Sequence, residues 1–119
     1  MNQILVVDDS ATERENLSNI LRDAGFLVTT ANNGADAVEK AKRDKPSLIF
    51  MDIVMPDVDG YKACRMLAES PETKGIPVVF VSTKNQRADQ VWARMQGGKD
   101  LIAKPYQAEQ IVDALKHAA

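Results

Sequence analysis

The sequence predicts an α/β fold in which five parallel strands form one sheet with helices on both faces. Three observations carry this. Short apolar segments and segments of helical periodicity alternate five times along the 119 residues, and strict alternation of that kind builds a parallel sheet from crossover units. Leu48-Ile49-Phe50-Met51 is an unbroken apolar run, as expected of a strand buried on both faces. The apolar runs also end in polar groups, Asp8, Asp52, Ser82 and Lys104; in an open parallel sheet such strand ends share one rim, where ligands bind.

The first strand is expected over 3–8, apolar, β-branched and ending in acid. Ser10 or Thr12 can cap the next helix, and Thr12 with Glu15 has the spacing of a capping box. Leu17, Ile20, Leu21 and Ala24 then fall at i, i+3, i+4 and i+7, an inward helical stripe, and Gly25 stops the helix. The second strand is expected over 26–31, followed by a turn at Asn32-Asn33-Gly34 and a helix over 35–43 with an Ala/Val face. Lys45-Pro46 ends that helix, and the third strand runs over 48–52. Residues 53–60 read as a loop. Asp59-Gly60 opens a helix to about Glu69 with Cys64, Leu67 and Ala68 inward. After a polar connector over 70–75 comes the fourth strand, 77–82, a loop over 83–87 and a helix over 88–96 carrying Val91, Trp92 and Met95. Gly97-Gly98 closes it. A short fifth strand over 101–103 leads to Lys104-Pro105, and the last helix spans 107–117 with Ile111, Val112 and Leu115 inward.

Size and charge narrow the function. A chain of 119 residues matches one domain with one core and leaves no room for a second. The formal net charge of −2 excludes a general basic field for nucleic acid. No apolar run is long enough to span a membrane. Met1-Asn2-Gln3 lacks a basic leader, so no signal peptide is expected. The single Cys64 excludes an internal disulfide and suits the cytoplasm.

The chemistry centres on Asp52. A buried strand-end carboxylate without a partner is costly, so something cationic should stand near it. If the first strand lies beside the third, Asp8 and Asp9 join Asp52, and three clustered carboxylates repel one another. A hard cation resolves this; Mg²⁺ prefers oxygen ligands and is held by one or two carboxylates plus phosphate. Asp9 and Asp52 are the expected direct ligands, Asp8 acts through water, and a backbone carbonyl just beyond, that of Val54, completes the protein set. Phosphoryl transfer needs mainly positioning and charge neutralisation, and a carboxylate can serve as nucleophile to form an aspartyl phosphate. Asp52 is therefore the expected phosphoacceptor, with the Lys104 ammonium neutralising one side of the transferring group and the Ser82 hydroxyl donating to a phosphoryl oxygen. That inward pull on Ser82 is a local switch.

Asp8-Asp9, the stretch Met51-Asp52-Ile53-Val54-Met55-Pro56-Asp57-Val58-Asp59-Gly60, Ser82 and Lys104-Pro105 together resemble the receiver domain of two-component response regulators, over essentially the whole chain. The resemblance implies a flavodoxin-like (CheY-like) sandwich with strand order 2-1-3-4-5 and residues 1–119 as one receiver domain. It implies phosphorylation of Asp52 by a histidine kinase of a CheA-like or other kind, Mg²⁺ dependence, and a switch rather than an enzyme, with self-catalysed dephosphorylation. It also implies a cis peptide before Pro105, and signalling through a protein partner docked on the fourth helix, fifth strand and fifth helix of a cytoplasmic monomer, with association on phosphorylation left open. Ser82-Thr83-Lys84-Asn85-Gln86, Val91-Trp92 and Gln96-Gly97, with Met51 to Pro56, are similar to the PilH-type single-domain regulators, which act in chemosensory control of type IV pilus twitching. One position departs from the family pattern: Leu101 stands three residues before Lys104, where such receivers usually carry a rotating Tyr or Phe, and Tyr106 lies two beyond.

Plainer readings apply to several residues. Asp57 and Asp59 read as loop or capping acids, Cys64 as core, and His117 as solvated; Trp92 is open between helix packing and a partner surface. Competing functions are a receiver-fold interaction module that is never phosphorylated, an FMN carrier, and an aspartate-nucleophile phosphatase. The FMN carrier needs a hydroxyl- and glycine-rich first loop to cradle phosphate, and Asp8-Asp9 would repel it. The phosphatase needs a second acid two residues beyond the nucleophile, where Val54 stands.

Overall fold

Strands and helices alternate as predicted in the computed structural model, which describes residues 3–119. Met1 and Asn2, on which the expectation of no signal peptide partly rests, lie outside the described residues. The elements are β1 (Gln3–Val7), α1 (Ala11–Asp23), β2 (Leu27–Ala31), α2 (Gly34–Asp44), β3 (Leu48–Met51), α3 (Gly60–Glu69), β4 (Val78–Ser82), α4 (Arg87–Met95), β5 (Asp100–Ala103) and α5 (Ala108–Ala114), which tightens into a 3-10 turn over Leu115–His117. The strands pair in parallel in the order β2-β1-β3-β4-β5. β1 and β3, the predicted neighbours, lie at the centre, with Val7 opposite Met51. Among the described residues no helix is long and apolar enough to cross a membrane.

Alternation of side chains along the strands splits the core in two. Leu5, Val7, Ile49, Met51 and Phe80 face a layer made by α2, α3 and α4. Ile4, Val6, Leu48, Phe50 and Val79 face the layer of α1 and α5. Phe50 and Phe80 are fully buried, and burial of a side chain of that size stabilises by roughly 1.5–3 kcal/mol. β3 and β4 are buried along their whole length, whereas the edge strand β2 leaves Leu27 exposed.

Local chemistry sets the boundaries. Ser10, not Thr12, caps α1 by accepting from the Glu13 amide (3.3 Å), so the Thr12/Glu15 pair lies inside the helix rather than at its start. Gly25 leaves the helix with φ +94°, a conformation glycine adopts without penalty. Asn33 caps α2 through the Asp36 amide, and Asp59 caps α3 through the Lys62 amide (2.8 Å).

Three inward assignments are corrected. Ala24, at the C-cap of α1, is exposed, and Ser18 is buried in the helix instead. On α3 the buried stripe is Gly60, Ala63, Cys64 and Leu67, which leaves Ala68 one position past it and exposed. On α5 Ile111 and Ala114 are buried while Val112 is exposed, because a one-residue step turns a helix by about 100°.

The loop between β3 and α3 is held by two close approaches. A methyl group at Gly60 would collide with the Asp52 carbonyl, and one at Gly34 with the Val58 carbonyl. The Gly60 amide also donates to the Ile53 carbonyl (2.8 Å). Gly60→Ala is therefore expected to lower stability by about 1–3 kcal/mol, the usual cost of overpacking. Gly75→Ala, where nothing lies within 4 Å of the new carbon, should stay within ~0.5 kcal/mol of the parent. Urea denaturation midpoints of the two variants check this.

Candidate functional site

Parallel pairing in this order brings the carboxyl ends of β1, β3, β4 and β5 to one rim. Asp8 follows β1 directly, and its amide donates to the Ala31 carbonyl of β2 (3.2 Å). Asp52 follows β3, its amide donating to the Val7 carbonyl (3.0 Å). Ser82 closes β4 opposite Ala103, the last residue of β5. Lys104 comes next, its amide donating to the Ser82 carbonyl (3.0 Å) and its peptide bond to Pro105 cis, as expected.

The Lys104 side chain crosses the rim. Its Nζ donates to Asp8 Oδ2 at 2.6 Å and to Asp52 Oδ2 at 3.0 Å, with Glu13 Oε1 at 3.5 Å. Lys104, Asp8 and Asp52 are all nearly buried, at 8–12 % side-chain exposure. The second oxygens are also held: Asp8 Oδ1 accepts from the Ser10 amide (2.9 Å) and Asp52 Oδ1 from the Ile53 amide (2.7 Å). Arg14 Nη1 donates to the Asp8 carbonyl (2.7 Å) and fixes the turn after β1. Asp9 is exposed, yet Asp8, Asp9 and Asp52 each offer a carboxylate oxygen within 4.8 Å of the others.

The cleft above these groups is open, with a volume of about 490 Å³. Asp8, Asp9, Asp52, Val54 and Lys104 line it, together with Ser10, Glu13, Thr83 and Pro105. The structure therefore brings Asp8, Asp9, Asp52 and Lys104 together and places Val54 on the rim. Ser82 is fully buried at the end of β4, and its neighbour Thr83, not Ser82, lines the cleft. The Ser82 Oγ accepts from the Lys84 amide (3.1 Å). Glu13 is the residue that sequence reasoning missed; an acid in the first turn of a helix is ordinarily read as a partner for the helix dipole.

Electrostatics set what the cleft can hold. Three carboxylates face one ammonium, so the cluster carries excess negative charge that like-charge repulsion makes costly. An all-oxygen donor set with room above it fits a hard divalent cation. Burial pushes the Asp8 carboxyl above its ordinary value, although the hydrogen bond from Lys104 pulls the other way. Burial opposes charge on Lys104 too, but the hydrogen bonds to Asp8 and Asp52 outweigh it and hold its pKa above the ordinary lysine value. Lys104 is therefore cationic at neutral pH, and the stability it contributes is lost only as pH rises past 10.5.

Other titratable groups are structural. Cys64 is buried, its Sγ lies 3.2 Å from the Gln96 carbonyl, and burial pushes its thiol up to about 11, so it is a core residue and no nucleophile. Tyr106 is half-buried and its hydroxyl accepts from Asn16 (3.2 Å). Leu101 is buried and supplies no ring. His117 lies 3.8 Å from Asp100, away from the cleft.

The response regulator receiver domain family matches residues 4–116. Protein PilH of Pseudomonas aeruginosa is 43% identical over 115 residues, covering 97% of this chain and 95% of PilH. The structure of Vibrio cholerae chemotaxis protein CheY4 superposes with a TM-score of 0.92 at 27% identity, covering 100% of this chain and 99% of CheY4. The receiver domain of a sensor histidine kinase from Pseudomonas aeruginosa PAO1, solved with a magnesium ion coordinated in its active site cleft, superposes with a TM-score of 0.90 at 26% identity, covering 98% of this chain and 96% of that one.

The raised pKa of Asp8 has a defined sign. Between its ordinary value of 3.8 and its raised one, folded Asp8 binds more protons than unfolded Asp8, so stability falls as pH rises through that range. With a chelator present, the Asp8 contribution should raise the urea midpoint as pH is lowered towards 3.8, and Asp8→Asn should flatten that gain.

Proposed function

The chain belongs to the response regulator receiver domain family, and on that footing we propose that it is a single-domain switch of a two-component phosphorelay, phosphorylated on Asp52 by a histidine kinase. The observation that carries this is the Lys104 ammonium held between Asp8 and Asp52, with Asp9 completing the acid cluster. A nucleophilic carboxylate must approach a phosphoryl group that is itself anionic, and transfer depends on neutralising both.

In this mechanism a carboxylate oxygen of Asp52 attacks phosphorus. The O–P bond forms, the P–N bond to the donor histidine breaks, and the electron pair of that bond returns to the imidazole nitrogen. Asp9 and Asp52 would hold Mg²⁺ directly and Asp8 through water, with the Val54 carbonyl completing the protein set. An ion held there would supply charge neutralisation at the phosphoryl oxygens. Lys104 keeps its contact to Asp8 and takes a phosphoryl oxygen in place of part of its contact to Asp52. Ser82 turns its hydroxyl inward to another phosphoryl oxygen and gives up the Lys84 amide. Hydrolysis of the acyl phosphate by water at the same cleft resets the switch.

Readout differs from the aromatic-rotamer scheme, since position 101 is leucine. The Ser82–Lys84 contact makes the β4–α4 loop the moving part. The kinase is of the CheA-like kind and the pathway a chemosensory one controlling twitching, readings that rest on the likeness to PilH and to CheY4. The protein acts in the cytoplasm through protein partners.

Acetyl phosphate or beryllofluoride with Mg²⁺ should modify the protein, seen by intact-mass spectrometry as a base-labile phosphate adduct or as a bound fluoride complex, and Asp52→Asn should abolish both. No adduct on the parent protein would leave a receiver-fold interaction module in its place. Mg²⁺ at about 10–100 times its dissociation constant should raise stability by about 1.4–2.7 kcal/mol, and Asp9→Asn should remove most of that gain in a urea titration.

A further inference from the structure

α4 turns its larger apolar stripe away from the protein. Ala88, Val91, Trp92 and Met95 fall at i, i+3, i+4 and i+7, a spacing that ordinarily marks the core-facing side of a helix. Here Val91, Trp92 and Met95 are 54, 46 and 67 % exposed, and the helix is buried instead through Ala93 and Asp89. Trp92 meets Tyr61 of α3 edge to face, ring centres 6.5 Å apart. Between them opens a cleft of about 420 Å³ walled on one side by Lys84, whose Nζ pairs with Asp89 (2.6 Å).

The surround of this stripe is cationic. Residues 84–99 contain four cations, Lys84, Arg87, Arg94 and Lys99, and one acid, the buried Asp89. Among the described residues Arg87, Arg94 and Lys99 make no ion pair. The chain as a whole carries −2, so this positive patch stands out against an acidic body. Pairing of the same face in a second copy would set arginine against arginine, which disfavours a symmetric dimer. The β5 and α5 side offers no comparable platform: Leu101 and Ile102 are buried, and the exposed Val112 opens instead onto Ile20 and Ala24 of α1.

We propose that the α3–α4 face, with Trp92 at its centre, is the docking surface for an acidic amphipathic helix of a partner protein. Apolar side chains of that helix, spaced at i and i+3 or i+4, would cover Val91, Trp92 and Met95 and enter the cleft beside Tyr61. Its acidic edge would meet Arg87 and Arg94. An exposed apolar stripe with a tryptophan on one edge and two arginines on the other has the composition of an interface anchor. The proposal names the partner class for the signalling switch argued above and rests on that reading only in requiring a partner.

Trp92 is the only tryptophan in the chain, so its emission reports occupation directly. The probe is a synthetic helical peptide with leucine along one face and glutamate elsewhere; the control has lysine in place of glutamate. A saturable blue shift of Trp92 emission with the acidic peptide and none with the basic one is expected. Arg87→Glu with Arg94→Glu should weaken binding by about tenfold or more, and Lys116→Glu in the 3-10 turn after α5 should leave it unchanged. Absence of a shift, an equal shift with the basic peptide, or an equal loss on Lys116→Glu would overturn the proposal. So would a blue shift on raising protein concentration alone, or a stronger response to phosphatidylglycerol vesicles than to the peptide. The titration uses unmodified protein without Mg²⁺, so its failure is separable from a failure of Asp52 to accept phosphate.

Discussion

One ammonium group holds the rim of this sheet together. Lys104 reaches from the end of β5 to the ends of β1 and β3 and sits against Asp8 and Asp52. Without it, neighbouring carboxylates in a half-buried cleft would repel at a distance where water screens poorly. Even with it, Asp9 and the nearby Glu13 leave the cleft over-acidic. The same imbalance that strains the resting protein makes a divalent cation welcome, so the tension and the affinity have one source.

Packing sets that geometry with little reliance on the polar groups. Two apolar layers clamp the sheet from either side, and buried β3 fixes its neighbours in register. Asp8, Asp52 and Ser82 then arrive on one edge because parallel strands all finish there. Each needs only a short anchor: the Ser10 amide for Asp8, the Ile53 amide for Asp52, the Lys84 amide for Ser82. The rigid scaffold supplies position, and the turns supply aim.

The fold was legible because its signals are local. Apolar runs, capping residues and glycine stops each sit within a few positions of the element they define, and the polar strand ends announced Asp8, Asp52 and Lys104. Strand order came from likeness, since pairing is a long-range choice that spacing leaves open. Errors gathered where one helical step decides a face: Ala68 and Val112 sit beside buried stripes rather than in them. Glu13 was missed because only the path of the Lys104 side chain brings it into the cleft. Trp92 was unresolved for a related reason. Its stripe has the spacing of a core face, yet the small Ala93 lets α4 sit close on the other side.

The loops flanking the acid cluster differ in how they are fastened. The segment after β3 is pressed between Gly34 and Gly60, where backbone meets backbone with no side chain to yield. The segment after β4 is tied back through a serine hydroxyl and an asparagine amide, bonds that rearrange at small expense. The cleft thus has one bank fixed by backbone contact and one tied by side-chain hydrogen bonds, so a change at the acid cluster would meet less resistance on the side towards α4. If the proposed switch operates, a fluorescent reporter spliced in after β4 would sense it, and one after β3 would stay silent.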